Sequence, residues 1–440
     1  MNNVDRSIFL FKAYLLGLPV WWMLGIDFLM PLLLASGLIY VNPAAHRQFT
    51  LPDSVLAASI AVLLISAYLS GFLLSQEAMR FVAALYNASI WICGLVLVQQ
   101  VRYLLRQPGT GRQAVLKTAF RAFLILVCIA WGAFILAYAV GQFNLQSASV
   151  FGRFLGHSIP DSASLIKQST TLVLTKADWG LPGIPMPRLV IYGPYPNATA
   201  AVIAVLGTLA LLHLQECGRD RRKFAVFMEG LIVLTLAITL SRSILGGWLV
   251  GALAANLIFG TAWRRVGSGL AIAAAVMVLT FGNIANFTEY RQYSTESRVD
   301  NYILALERTA QMNPVAGLGI KPREEGRHIA VGSHSTFVSS FTKGGALGLS
   351  LVFAYLVIIP AARWIASATS VTGLHRQSKA ELRILFTLQV TIWTWICFED
   401  IDAPATAAML IFTAFAFFEG ASRSSQPRAG NFSQFRPYPT

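Results

Sequence analysis

Charge is scarce in this chain. Asp, Glu, Lys and Arg make up 12% of its 440 residues, against roughly 25% in an average soluble domain. With a mean hydropathy of +0.60, that scarcity excludes an ordinary soluble fold. Cysteine is sparse as well. Cys93, Cys128, Cys217 and Cys397 form no CxxC pair, so neither a disulfide framework nor a cysteine zinc site is expected. Acids are the rarer sign, 20 against 34 Lys and Arg, for a net charge of +14. No internal repeat is evident, which argues against transporters assembled from duplicated halves. No small-residue cleavage site follows the first apolar block, so no cleavable signal peptide is expected.

Apolar runs are what the chain has instead. A bilayer crossing needs roughly 20 residues. Such runs recur near 53–75, 80–101, 118–143, 193–216, 224–240, 244–262, 266–287, 336–360, 384–399 and 404–421. The first block, near 11–41, is too long for one span, and Pro19, Gly25 and Asp27 sit near its middle. It reads as a hairpin of two. The expected fold class is an all-α integral membrane protein of about twelve transmembrane helices. One polytopic membrane domain covers 1–421, and 422–440 is a basic, polar, disordered tail.

Basic residues set the orientation, because short Lys/Arg-rich loops stay cytoplasmic. Arg102, Arg106, Arg112, Lys117 and Arg121 make one such loop; Arg219, Arg221, Arg222 and Lys223 make another. Arg264 with Arg265, then Arg363, Arg376, Lys379 and Arg383, continue the series, and the tail adds Arg423, Arg428 and Arg436. All fall on one side only if the N-terminus, with Arg6 and Lys12, is cytoplasmic too. Two large external loops remain, near 144–192 and 288–335. Nucleic acid is not an expected partner, since the basic residues serve topology and no aromatic-basic groove accompanies them. The lipid bilayer is.

The second external loop is a polar island between apolar runs. From Thr288 to Ser335 it holds Arg291, Arg298, Arg308, Lys321, Arg323 and Arg327. Ser297 and Asp300 have capping-box spacing. Val299, Tyr302, Ile303, Leu306 and Ala310 then recur at helical spacing. Asn313-Pro314 stops the helix, and Gly317-Leu318-Gly319 turns the chain. The bland reading of such a loop is a solvated interfacial helix without chemistry. A nucleotide fingerprint fails, because Pro322 stands where the third glycine belongs.

His334 lies in Gly332-Ser333-His334-Ser335, just before the next apolar run. A lone histidine at a membrane boundary is more often structural than catalytic. Its cationic surroundings and ordinary pKa of about 6.5 nevertheless suit proton transfer. Lys343, nine residues on, is costly inside a span and calls for a partner or polar cavity. Nine residues is two and a half turns, so it does not share the face of His334. Arg188 precedes a span in a Gly/Pro-rich stretch running to Pro196-Asn197. Arg242 sits in Ser241-Arg242-Ser243, where its bland role is snorkelling to headgroups. Gly246-Gly247 favours close helix packing beside it. Glu399, Asp400 and Asp402 form either a solvated turn or partners for the arginines. No second carboxylate cluster or His pair accompanies them, so no metal site is expected. Glu229 lies within a span and reads as a hydrogen-bonding partner of a neighbouring helix.

Arginines converging on an external membrane surface suit a diphosphate, which guanidinium forks bind bidentately. The substrate would be a lipid-linked diphosphate with its tail in the bilayer. Fixed cations would stabilise the leaving group, and His334 would take a proton from an attacking sugar hydroxyl.

The carriers of a family resemblance are Arg188-Leu189 leading to Pro196-Asn197, then Ser241-Arg242-Ser243, then Ser297-Arg298 with its helix. Asn313 to Gly319, His334, and Gly344-Gly345-Ala346-Leu347-Gly348 complete the set. The chain resembles the bacterial O-antigen ligase and polymerase superfamily, with a fold of the GT-C-like kind. The motifs cover roughly 185–350, and the topology covers the whole chain. The resemblance implies an inverting, metal-independent, cofactor-free transfer of glycan from undecaprenyl diphosphate at the periplasmic face of the bacterial inner membrane. It implies that Arg188 and Arg298 bind diphosphate, that Arg242 supports them, and that His334 is the base or positions the acceptor. Arg308, Lys343 and Asp400 are supporting positions. The family usually shows His-Asn at the mouth, where this chain has His334-Ser335. The acceptor would be lipid A core for a ligase or a second lipid-linked glycan for an O-antigen or exopolysaccharide polymerase. Arg308 followed by Gly319 repeats a spacing associated with polymerases, while the ligase type is slightly favoured. A lipid-linked-glycan flippase is the alternative from another class.

Overall fold

The computed structural model describes residues 2–47, 49–74, 78–107, 111–159, 164–181, 184–217, 222–281, 292–322, 330–369 and 376–421. Arg219, Arg221, Arg291, Arg323, Arg327 and the tail from 422 lie outside them.

The protein is mostly helical. Its first helices are α1 (Asn3–Leu16), α2 (Leu18–Leu24), α3 (Met30–Val41), α4 (Leu51–Ser66), α5 (Ala78–Arg106) and α6 (Gly111–Val140). Two short helices, α7 (Val150–Leu155) and α8 (Ser164–Ser169), accompany a sheet of β1 (Leu145–Ala148), β2 (Thr171–Leu181) and β3 (Ile184–Leu189). Then come α9 (Pro196–Glu216), α10 (Arg222–Ala237), α11 (Arg242–Phe259), α12 (Ala262–Phe281) and α13 (Gln292–Met312). The last are α14 (Thr336–Phe353), α15 (Ile359–Thr369), α16 (Arg376–Phe398) and α17 (Ala405–Ala421). Seven helices among the described residues are long and apolar enough to cross a membrane, or eight with the bent pair α1–α2. That is fewer than the expected twelve spans; α3 and the described part of α17 are apolar but shorter.

The first apolar block turns where Gly25 and Asp27 were expected to turn it. Gly25 takes a left-handed conformation and closes α2, and α3 starts at Met30. α1 and α2 meet at a 56° bend, where Pro19 opens a new helix after Gly17.

α9 is the centre of the bundle. Its apolar window is 94% buried, and it packs on α6, α10, α16 and α17. Ala198, Ala200, Ala201, Ala204, Gly207 and Ala210 keep its surface narrow enough for several neighbours to approach. α11 and α16 are in still closer contact. A Cβ on Gly247 would lie 2.7 Å from Thr394, and one on Gly251 2.7 Å from the Thr387 carbonyl.

At one end of the bundle, ion pairs tie helix termini together, those of Arg102 buried and those of Arg112 partly exposed. Arg102 meets Asp53 at 2.5 Å and Glu419 at 3.1 Å. Arg112 meets Glu216 at 2.5 Å and Glu381 at 2.6 Å. The opposite end holds the two large loops.

The first of these loops corrects the purely helical expectation. It carries a three-stranded antiparallel sheet, ordered β1-β2-β3. Thr175 pairs with both Leu145 and Leu189, so β2 is the middle strand. Its Thr171-Leu172-Val173-Leu174-Thr175 run is rich in strand-favouring residues. The proline density of Ile184-Pro185-Met186-Pro187 hid β3 from a sequence reading. Prolines are tolerated there because β3 is an edge strand. The sheet delivers Arg188 and Leu189 to the bundle, where the Leu189 N–H donates to the Ile238 carbonyl at 3.2 Å.

The capping-box expectation is also corrected. α13 starts at Gln292, so Ser297 and Asp300 lie inside the helix and do not open it. The stop is as read: α13 ends at Met312, before Asn313-Pro314.

Candidate functional site

The site grows from a break in α14. Gly345 has φ 60° and ψ −158°, a conformation essentially reserved for glycine. The break frees backbone groups that a continuous helix would satisfy. The turn after α13 satisfies them. Leu318 and Gly319 donate their N–H groups to the carbonyls of Thr342 and Lys343, at 2.7 and 3.0 Å. Ala346 and Leu347 donate back to Pro314 and Val315. Gly317 and Gly319 both have positive φ, as their place in a tight turn requires. Ser66 of α4 locks the junction, its one hydroxyl proton shared between the carbonyls of Ala316 at 2.5 Å and Lys343 at 2.6 Å. The Gly-Leu-Gly turn is thus a backbone clamp on a broken helix.

α13 holds the mouth of the same loop. Asn301 donates to the carbonyls of Ala330 and Ser333 and accepts from the Gly332 N–H. The Tyr302 phenol donates to the His334 carbonyl. His334 itself has φ 71°, uncommon for a residue with a Cβ. Tyr192 and Leu240 are the other non-glycine residues with positive φ among those described. All three lie in turns that lead to one place, Tyr192 through Tyr195, Leu240 through Ser241 and Asn197, and His334 directly. Strained backbone of this kind costs about 1–3 kcal/mol per residue and concentrates at functional sites.

That place is the acidic turn between α16 and α17. Glu399, Asp400 and Asp402 are each buried, and each is met by a cation. Glu399, 2% exposed, lies 3.6 Å from Arg298 Nη2 and 3.7 Å from His334 Nδ1. Asn197 donates to its Oε1, and the Tyr195 phenol is hydrogen-bonded to it. Burial, with Glu399 beside it, pushes that phenol well above the usual tyrosine range. Asp400 pairs with Lys321. Asp402 pairs with Lys343 at 2.5 Å and accepts the Trp91 indole N–H at 3.1 Å. Burial raises Asp400 above the ordinary carboxylate range, and Lys321 offsets this only in part. Burial works against the charge on Asp402 too, but Lys343 and Lys321 outweigh it and hold Asp402 below that range. Thr336 fixes the turn, donating to the Glu399 carbonyl at 2.7 Å and accepting the Ile401 N–H at 3.0 Å.

Exposure separates these groups. Arg298 and His334 keep 32% and 28% of their side chains exposed, whereas the carboxylate between them keeps 2%. A ligand can therefore reach the guanidinium and the imidazole while Glu399 stays beneath. Nδ1 faces Glu399, which leaves Nε2 as the nitrogen for an outside partner.

The other expected site residues distribute unevenly. Arg188 donates from Nε to the Thr239 carbonyl at 3.0 Å and reaches the Leu240 carbonyl at 3.5 Å. It braces the turn whose Ser241 donates to Asn197 at 2.8 Å, and Asn197 holds Glu399. Arg188 thus reaches the site through a chain of hydrogen bonds. Arg242, the first residue of α11, is exposed beside that turn. Arg308 is ten residues beyond Arg298 on α13, about 15 Å along the helix. Lys343 and Asp400 belong to the ion-pair network. Among the described residues, no group of three His, Cys, Asp or Glu is arranged to hold a metal ion.

Sequence reading gave Glu399 no central role, used Asn197 only as a carrier of the resemblance, and gave Tyr195 and Trp91 no role. Asn197 carried a signal, as an amide opening an otherwise apolar helix. Trp91 carried none, being one tryptophan in a run of apolar residues. No protein family matches this chain, and no curated protein matches it.

Proposed function

We propose that the protein is an inverting membrane glycosyltransferase that moves a glycan from undecaprenyl diphosphate to a sugar hydroxyl. The observation that carries this reading is the convergence of Arg298 and His334, both accessible, on the buried carboxylate of Glu399. A transfer of this kind needs a base for the hydroxyl and a cation for the leaving diphosphate. In the proposed step the acceptor oxygen bonds the anomeric carbon as the bond to the diphosphate oxygen breaks. The hydroxyl proton passes to His334 Nε2, and Glu399 beside Nδ1 stabilises the imidazolium. The negative charge departs on the diphosphate, against Arg298. Arg188 and Arg242 would guide the diphosphate from the neighbouring turn.

The reading carries a topology of twelve spans in the bacterial inner membrane, with both termini cytoplasmic and the site periplasmic. Support for the sidedness comes from the ion pairs of Arg102 and Arg112, at the bundle end away from Glu399. The acceptor is lipid A core in the ligase form and a second lipid-linked glycan in the polymerase form. A flippase is the second reading. It draws on the buried Asp400 and Asp402, each with one carboxylate oxygen lacking a hydrogen-bond donor among the described residues, since buried acids between helices also serve proton relays.

Transfer of radiolabelled glycan from its undecaprenyl diphosphate carrier, assayed with the purified protein, tests the reading. His334→Ala and Arg298→Ala should abolish transfer and leave membrane insertion intact, and EDTA should not affect the wild type. Full transfer by both variants would sink the site assignment. Movement of intact carrier between leaflets without transfer would favour the flippase. Deletion in the native host separates the acceptors. Loss of all long chains from lipid A core indicates a ligase, and single-repeat lipopolysaccharide indicates a polymerase.

A further inference from the structure

The bundle holds a groove of about 510 Å³ on its flank, remote from Glu399. α9, α10, α11 and α16 line it, chiefly through Leu211, Val233, Trp248, Ala252 and Ile384. Val226 and Leu234, also lining it, are 58% and 56% exposed, so the groove opens sideways on the α10 flank. Its volume falls in the range of pockets that enclose a small organic ligand, about 300–1,000 Å³.

The groove is not uniformly apolar. Arg383 reaches into its lining with Glu229 at 3.1 Å and Asn256 at 3.3 Å. Arg264 is within electrostatic reach of Glu229. Two guanidinium groups therefore share one carboxylate, and the cluster keeps a surplus positive charge. It sits about two turns inside the α10 and α16 starts and one turn from the α11 end, in the half of the bundle that holds Arg112. Trp263, 87% exposed, and exposed Lys223 flank that end, the pairing of residues that marks a headgroup layer. Deeper in, Trp248 is 6% exposed and its indole N–H has no acceptor among the described residues. A buried donor left open costs free energy.

We propose that the groove holds one acyl chain of an anionic phospholipid, with the phosphate on Arg383. The surplus cation selects an anionic headgroup. The apolar walls, Trp248 among them, take the chain. This lipid is separate from the glycan carrier. Arg383 and Glu399 are sixteen residues apart on α16 and its following turn, about 24 Å along the axis. The proposal stands independently of the transfer reaction.

Native mass spectrometry of the purified full chain, taken from nanodiscs of mixed phosphatidylglycerol and phosphatidylcholine, tests it. The wild type should retain one phosphatidylglycerol in preference to phosphatidylcholine. Arg383→Gln should lower that preference about tenfold, on the order of one lost charge-assisted hydrogen bond. Glu229→Gln should raise it, because Arg383 loses a competing carboxylate. Gly230→Leu fills the groove: a Cβ at Gly230 meets nothing within 4 Å, and leucine favours the helix. It should abolish retention of both lipids while the helical circular dichroism stays unchanged. Equal retention of the two lipids by the wild type, or undiminished retention by Gly230→Leu, would overturn the proposal.

Discussion

At the scale of single residues, one buried carboxylate organises the site. Glu399 is held by Asn197 and Tyr195 and faces both Arg298 and His334. Glu399→Gln removes the charge and keeps the shape. Transfer should fall by about 10²–10³, the order associated with losing a proton-transfer partner, while KM for the lipid-linked donor stays within about threefold. An unchanged kcat would remove Glu399 from the proposed mechanism. Asp402 and Lys343 form a second unit, with side chains 3% and 7% exposed. Breaking a buried pair leaves an uncompensated charge and costs about 3–5 kcal/mol. Asp402→Asn should lower stability by that order, and adding Lys343→Met should restore most of it, as read by thermal unfolding in detergent. The pH dependence follows from the same pair. Asp402 is held below its unfolded value of about 3.9. Its contribution is complete above that value and is lost as pH falls through the lower, folded one. Asp400 is raised by burial, so its contribution has the opposite sign and fades as pH rises through its folded value. Unfolding followed from pH 5 to pH 2 should therefore show a shallower acid loss in Asp402→Asn than in the wild type.

At the scale of elements, the broken α14 and its clamp decide whether the site assembles. A Cβ on Gly345 would lie 2.3 Å from the Val315 carbonyl, and one on Gly319 2.1 Å from the Ser66 carbonyl. Both are backbone contacts with no flexible end to yield. Gly345→Ala should therefore destabilise by several kcal/mol, strain alone contributing about 1–3. The control is Gly246→Ala in α11, where a Cβ meets nothing within 4 Å. That change should stabilise by about 0.5–1 kcal/mol. Equal melting temperatures for the two variants would refute the clamp. The Asn313-Pro314 stop and the Gly317 and Gly319 turn were readable, because proline and glycine impose local geometry. What the turn docks on was not readable, since its partners Ser66 and Lys343 are set by packing. The start of α13 was misread for a related reason. Ser297-Arg298-Val299-Asp300 has a cap's spacing, but the helix already runs from Gln292, and local preference yielded to continuity.

At the scale of the whole molecule, charged residues close each end of the bundle. Arg102 joins the α4 start, the α5 end and the α17 end through Asp53 and Glu419. Its side chain is 6% exposed and Asp53 is 1% exposed, so salt screens the pair little. Arg102→Met should lower stability by about 3–5 kcal/mol, and by the same amount at 0.1 and 1 M salt. A loss that vanishes in high salt would place the pair at an exposed surface.

The sequence by itself determined that this is a helical membrane protein, that its basic loops cluster at one end, and that its polar island ends in a turn and a histidine. Those properties follow from local chemistry: apolar length, loop charge, and the backbone limits of proline and glycine. Only the tertiary structure decided which carboxylate Arg298 and His334 share, and that Arg188 reaches it through a turn and Asn197. The sheet of the first large loop was decided there too. Glu399, just past the end of α16, takes its partners from α9, α13 and the mouth before α14. Residues so far apart meet only because the central α9 is narrow enough for its neighbours to close around it, and no local pattern records that meeting.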